Sequence, residues 1–268
     1  MNQQLTIAQS SASPEISDRA DSPSAPHHKD LADAPLRHRD YITLWIVPLP
    51  KSGTANLFRP VFLSPEELKQ IDHCQTEVAK RTALYSAAYT RIILAMHTGV
   101  DPQAIELQRG PNHKPFLLSP ALPLQYNVSH SKDQFVMAIS RHNAVGVDVE
   151  YRDGTVNIDE LSTYLKINPG KNCSDPFSMR RFYDYWVTHE ALQKCAGAAA
   201  PEHFLPLEYL HPDRQKLVAF GMTQYYQRLE IIDGYSLCLA MAEHNQQIYI
   251  KRIPADTMKA HGVQMFAS

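Results

Sequence analysis

The chain has 268 residues, long enough for one large domain or two modest halves around a real core. Lys and Arg number 26 against 28 Asp and Glu, so no global charge points to nucleic acid, and attraction to an anionic substrate has to be local. The four cysteines, Cys74, Cys173, Cys195 and Cys238, form no CxxC pair, which fits reduced thiols in a cytoplasmic protein better than a disulfide framework or a zinc site. The N-terminus shows no basic region followed by an apolar run, and no stretch approaches the roughly 18 apolar residues of a membrane span. Neither a secretion signal nor a membrane partner is expected.

In chain order, residues 1–39 are rich in Ser, Ala, Pro, Asp and His without apolar period, and read as a solvated, disordered tail. Tyr41-Ile42-Thr43-Leu44-Trp45-Ile46-Val47 is a β-rich apolar run closed by Pro48, hence a strand. Ser64-Pro65-Glu66-Glu67 starts a helix: Ser64 caps, Pro65 fits the first helical position, and Glu67 completes a capping box. A longer helix follows, with Val78, Leu84, Tyr85, Ala88, Tyr89, Ile92, Ile93 and Met96 at three- and four-residue steps, ending near Gly99. Arg81 lies in its first turns, where a solvated surface cation is the ordinary reading. Arg109 to Phe116 is expected to be a turn-rich loop, and Lys114 stands in it.

Gln125-Tyr126-Asn127-Val128 reads as a strand running into Ser129-His130-Ser131, which is placed at a connection before a second strand, Phe135–Ile139. Adjacent Ser and His on an extended chain point apart, and no GxSxG elbow exists, so nucleophilic hydrolysis is disfavoured. A hydroxyl, an imidazole and backbone N–H groups suit phosphate oxygens better. The strand Gly146-Val147-Asp148-Val149-Glu150 puts Val147 and Val149 on one face and Asp148 and Glu150 on the other. At about 3.3 Å per residue the Cα atoms of the two acids lie roughly 6–7 Å apart. Two anions that close need water or a shared cation, and a hard ion such as Mg²⁺ takes oxygen ligands. After a polar stretch to about residue 177, a helix over roughly 178–196 buries Phe182, Tyr185, Trp186, His189, Leu192 and Ala196. Glu190 and Lys194 stand one turn apart at the edge of that stripe, and His189, on the stripe, reads as a core histidine. Strands are expected near Lys216–Phe220, Thr223–Ile232, Tyr235–Ala242 and Gln247–Ile253, with Asp233-Gly234 a hairpin turn.

Five of these features, in this order and spacing, resemble the Sfp-type 4′-phosphopantetheinyl transferases between about Thr76 and Gly197. They are the Arg81 helix, Gly110…Lys114-Pro115, Asn127-Val128-Ser129-His130-Ser131, Gly146-Val147-Asp148-Val149-Glu150, and Phe182…Trp186-Val187-Thr188-His189-Glu190-Ala191…Lys194. The resemblance implies an α+β fold of two similar halves related by a pseudo-two-fold, over residues 40–145 and 146–268, with the site between them. It implies Mg²⁺-dependent transfer of the phosphopantetheine arm of coenzyme A to a serine of an apo acyl or peptidyl carrier protein, with release of 3′,5′-ADP. The pathways implied are fatty-acid, polyketide or nonribosomal peptide assembly, and the state implied is a monomer.

By that resemblance Asp148, Glu150 and Glu190 hold the metal, Glu190 or a metal-bound water takes the serine proton, and Lys194 offsets phosphate charge. Arg81 and Lys114 hold the 3′-phosphoadenosine part, with Ser129 and His130 contacting nucleotide and phosphates. Three departures stand out. His189 replaces the lysine usual before the metal-binding glutamate, which leaves one positive charge fewer beside the diphosphate when the imidazole is neutral. The Gly-rich tail after the helix is Ala196-Gly197-Ala198-Ala199-Ala200, and the Phe- and Glu-containing docking segment is hard to find in residues 160–177. The alternative is therefore a non-catalytic homologue that binds coenzyme A or a carrier protein.

Overall fold

A computed structural model describes residues 41–50, 61–110, 112–164, 176–198, 205, 210, 215–244 and 246–254, all within one contact unit, Arg39–Ser268. The tail expected over 1–39 lies outside the described residues, as do 165–175 of the expected docking segment. The fold is a mixed α+β arrangement built on strands buried from both sides. In β1 (Tyr41–Pro48) and β5 (Gln134–Ser140), Ile42, Leu44, Ile46, Val136 and Ala138 face one core, while Trp45, Val47, Phe135, Met137 and Ile139 face another. That two-sided burial is why both segments are continuously apolar rather than alternating.

The first sheet has the order β10-β1-β5-β4, with β4 at Gln125–Ser131 and β10 at Gln247–Arg252. The second has the order β6-β9-β8-β7, formed by β6 (Val145–Tyr151), β7 (Lys216–Ala219), β8 (Met222–Arg228) and β9 (Tyr235–Met241). Helix α2 (Glu77–Thr98) covers the outer face of the first sheet through Leu84, Tyr85, Ala88, Tyr89, Ile92 and Ile93. Val145, Val147 and Val149 of β6 and Tyr235, Leu237, Leu239 and Met241 of β9 meet the other face of that sheet. Helix α4 (Pro176–Ala196) covers the outer face of the second sheet through Phe182, Tyr185, Leu192 and Cys195. The layers therefore run helix, sheet, sheet, helix.

Local chemistry sets the helix ends as the sequence leads one to expect. In α1 (Pro65–Asp72) the Ser64 hydroxyl accepts from Glu67 N at 3.2 Å, and Ser64 N donates to Glu67 Oε2 at 2.8 Å. Thr76 caps α2, which stops at Gly99 with a left-handed φ of 74°.

Several segments differ from expectation. Ser129-His130-Ser131 belongs to β4 rather than to a connection, and the chain reverses only at Lys132, whose φ is 47°. The loop expected from Arg109 to Phe116 is the turn of a hairpin joining β2 (Glu106–Arg109) and β3 (Pro115–Ser119), strands too short and exposed to show a period. A short helix, α3 (Ile158–Tyr164), interrupts the polar stretch, with Asn157 Oδ1 accepting from Glu160 N at 3.2 Å. The Asp233-Gly234 turn is present, but β8 ends at Arg228, and six residues separate it from the start of β9 at Tyr235. Finally, β10 pairs parallel with β1, so a strand from the expected C-terminal half completes the first sheet.

Candidate active site

The site grows from the contact between β6 and α4. A Cβ on Gly146 would lie 2.1 Å from the Ala191 carbonyl oxygen and 2.3 Å from Cys195 N, so only glycine lets the helix backbone press on the strand here. The helix crosses the face of β6 that carries Asp148 and Glu150, and it brings Glu190 and Lys194 to them. Lys194 Nζ lies 2.5 Å from Asp148 Oδ1 and 3.9 Å from Glu190 Oε2. The Asp148 side chain is only 3 % exposed, and its Oδ2 is buried without a hydrogen-bond partner.

Burial pushes all three carboxyls above their ordinary range. At Asp148 the Lys194 ammonium pulls the other way, while Glu150 and Glu190 are raised further by the Asp148 charge. The three acids therefore feel one another across a partly desolvated space.

A seam between the two sheets holds two of the three. Strands β4 and β6 run side by side, and the β6 N–H groups facing β4 are met by side chains. Asn127 Oδ1 accepts from Val147 N at 2.9 Å, Ser129 Oγ from Val149 N at 3.4 Å, and Ser131 Oγ from Tyr151 N at 3.1 Å. The same two hydroxyls donate onward, Ser129 to Asp148 Oδ1 and Ser131 to Glu150 Oε2, each at 2.7 Å. Ser129, expected on nucleotide and phosphates, thus has its hydroxyl engaged with Asp148. Sequence reasoning gave Ser131 no separate role. The signal available for it was the polar stripe Asn127, Ser129, Ser131 at every second position, but that stripe has meaning only once those residues are known to be strand.

The expected coenzyme contacts are spread out. Lys114 Nζ donates to the carbonyls of Val145 and Cys195 at 3.3 and 3.1 Å, at the start of β6, and burial holds its ammonium below the ordinary range. Arg81 lines a cavity of about 730 Å³ with Tyr85, Lys132, Asp133, Tyr151 and Tyr235, at the other end of β6. Val145 and Tyr151 are about 20 Å apart along the strand at about 3.3 Å per residue. The structure thus separates two cations that the resemblance assigns to one nucleotide group. His130 stands at the exposed rim of β4, where desolvation by neighbouring atoms, and then the Lys194 ammonium, lower its imidazole pKa.

His189 is fully buried and turned away from this cluster. Its Nδ1 accepts from Leu205 N at 3.2 Å, its ring packs against Tyr185 and Phe220, and burial lowers its pKa to about 4. The core reading of this histidine holds, and its neutrality removes no charge from beside the carboxylates.

The donor set suits a hard divalent ion: three desolvated carboxylates, oxygen only, with one buried oxygen unpartnered. Among the described residues, no three His, Cys, Asp or Glu side chains are gathered tightly enough to hold a metal as they stand. The cation beside Asp148 is the Lys194 ammonium. Among the described residues, no helix is long and apolar enough to cross a membrane.

Residues 54–142 match the family described as "4′-phosphopantetheinyl transferase, N-terminal". The chain is 30 % identical over 151 residues to a phosphopantetheinyl transferase of Thraustochytrium sp., covering 50 % of this chain and 52 % of the relative. It is 25 % identical over 166 residues to the 4′-phosphopantetheinyl transferase HetI of Nostoc sp., covering 59 % of this chain and 69 % of the relative. The match thus spans about half the length of the first of these relatives.

Proposed function

We propose that the chain acts as a 4′-phosphopantetheinyl transferase, the activity named for the family and relatives it resembles, and that it transfers the phosphopantetheine arm of coenzyme A to a serine of an apo acyl or peptidyl carrier protein. The serine oxygen bonds to the β-phosphorus of the diphosphate, the bond from that phosphorus to the bridging oxygen breaks, and 3′,5′-ADP leaves. The observation that carries this reading is the meeting of Asp148, Glu150, Glu190 and Lys194 where α4 crosses β6. Phosphoryl transfer asks a protein mainly for positioning and for neutralisation of charge on the phosphate oxygens.

Asp148, Glu150 and Glu190 would hold Mg²⁺, which when bound supplies a clamp and a positive charge for the diphosphate. Glu190 is the base proposed for the serine proton. Lys194 carries the mobile positive charge, balanced by Asp148 until phosphate oxygens compete for it. Arg81, Lys114 and His130 would contact different parts of an extended coenzyme. Ser129 is assigned instead to Asp148. The non-catalytic alternative rested on His189, which lies in the core, and on the altered docking segment, most of which lies outside the described residues.

The test is intact mass spectrometry of several apo carrier domains incubated with the protein, coenzyme A and Mg²⁺, with an EDTA arm and with folded Asp148→Ala and Glu190→Ala variants. A phosphopantetheine-sized mass gain, absent with EDTA and lost in both variants, is expected. A gain that survives in either variant overturns the metal assignment. No gain on any carrier overturns the transfer reading.

A further inference from the structure

The seam between β4 and β6 places two hydroxyls in a fixed relation to two carboxylates. We infer that Ser131 and Ser129 are positioning residues, which hold Glu150 and Asp148 from the neighbouring sheet in the orientation that receives the divalent ion. This rests on the transferase reading above and adds to it a role for two residues.

A serine hydroxyl has one proton to donate. Ser131 Oγ receives the Tyr151 N–H at 3.1 Å and Ser129 Oγ receives the Val149 N–H at 3.4 Å, which orients both hydroxyls. Their single protons are thereby directed to Glu150 Oε2 and Asp148 Oδ1, both at 2.7 Å. Each carboxylate is thus tied by one oxygen, and the second oxygen of Asp148 stays buried and unpartnered. Outer partners of this kind fix the orientation of metal-binding groups.

Asn127 supplies an internal control. It meets Val147 N–H in the same seam at 2.9 Å but touches neither carboxylate in the seam's hydrogen-bond pattern. A purely structural seam makes Asn127 and Ser131 equivalent. A positioning seam does not.

The experiment is Mn²⁺ binding to the full-length protein with coenzyme A present, followed by electron paramagnetic resonance of the free ion, together with thermal unfolding of the metal-free protein. The chains compared are wild type, Asn127→Ala, Ser129→Ala, Ser131→Ala and Ser131→Thr. Ser131→Ala and Ser129→Ala are expected to weaken Mn²⁺ binding about 10- to 100-fold. Ser131→Thr, which keeps the hydroxyl, is expected to restore it, while Asn127→Ala lowers the unfolding temperature and leaves Mn²⁺ affinity within about threefold of wild type. Wild-type affinity in Ser131→Ala, or equal losses in Asn127→Ala and Ser131→Ala, overturns the positioning role while leaving the transferase reading intact. Absence of Mn²⁺ binding by the wild type overturns the metal assignment itself, and the inference falls with it.

Discussion

At residue 189 the lysine usual in the family that the sequence resembles would have to enter a core. His189 is fully buried between Tyr185 and Phe220, with burial lowering its pKa to about 4. His189→Lys is therefore expected to destabilise the fold by about 3 kcal/mol or more, because an ammonium there has to ionise in an apolar site or lose its proton. Urea unfolding measures this, and a variant as stable as wild type with faster transfer would overturn the core assignment. His97 gives a pH dependence of known sign. Its Nε2 accepts from Trp45 Nε1 at 3.0 Å, and desolvation first, then Arg141 and Lys251, lower its pKa to about 4. Between the ordinary value of about 6.5 and about 4 the unfolded chain binds the proton and the folded one does not. Stability from this group is complete above pH 6.5 and declines as the pH falls toward 4, by up to about 3 kcal/mol. His97→Gln keeps an acceptor without titrating, so its denaturation midpoint should fall less on acidification over that range.

At the scale of elements, the decisive contact is a helix lying directly on a strand. Gly146→Ala would put a methyl carbon 2.1 Å from the Ala191 carbonyl oxygen, and backbone on both sides leaves little room to yield. A loss of about 2–3 kcal/mol is expected, with transfer activity falling further than stability alone explains, because α4 carries Glu190 and Lys194. Unfolding midpoints and transfer rates compared at a temperature where the variant is fully folded separate the two effects. Activity equal to wild type under those conditions would show that the spacing of β6 and α4 is not critical. The β4 strand makes a different point about legibility. Its residues Asn127, Ser129 and Ser131 look like a polar exit from a strand, yet they continue it, because their oxygens serve the N–H groups of the next sheet's edge.

For the molecule as a whole, the feature that local sequence could not give is the return of β10 to β1. The register Tyr41↔Gln247 through Ile46↔Arg252 joins segments about 200 positions apart, and nothing in either run names its partner. The consequence is testable. A chain ended at His244 removes β10 and bares the long apolar edge of β1, an edge open to pairing with other chains. Size-exclusion chromatography is expected to show oligomers or loss of soluble protein, with a broadened urea transition. A monodisperse truncated chain as stable as the full one would mean that β10 is an accessory strand.

What the sequence determined by itself was chemistry that depends on neighbours along the chain. The Ser64 capping box, the stop at Gly99, the two-faced strand at Asp148 and Glu150, and the one-turn spacing of Glu190 and Lys194 all follow from helix and strand periods. Tertiary structure decided which groups those residues meet. It set Lys194 on Asp148, tied Ser129 and Ser131 to the carboxylates of another sheet, drew Arg81 and Lys114 to opposite ends of β6, and sent His189 into the core. Periodicity fixes the face on which a side chain stands, whereas what lies opposite that face is set by the packing of sheets and helices distant in sequence.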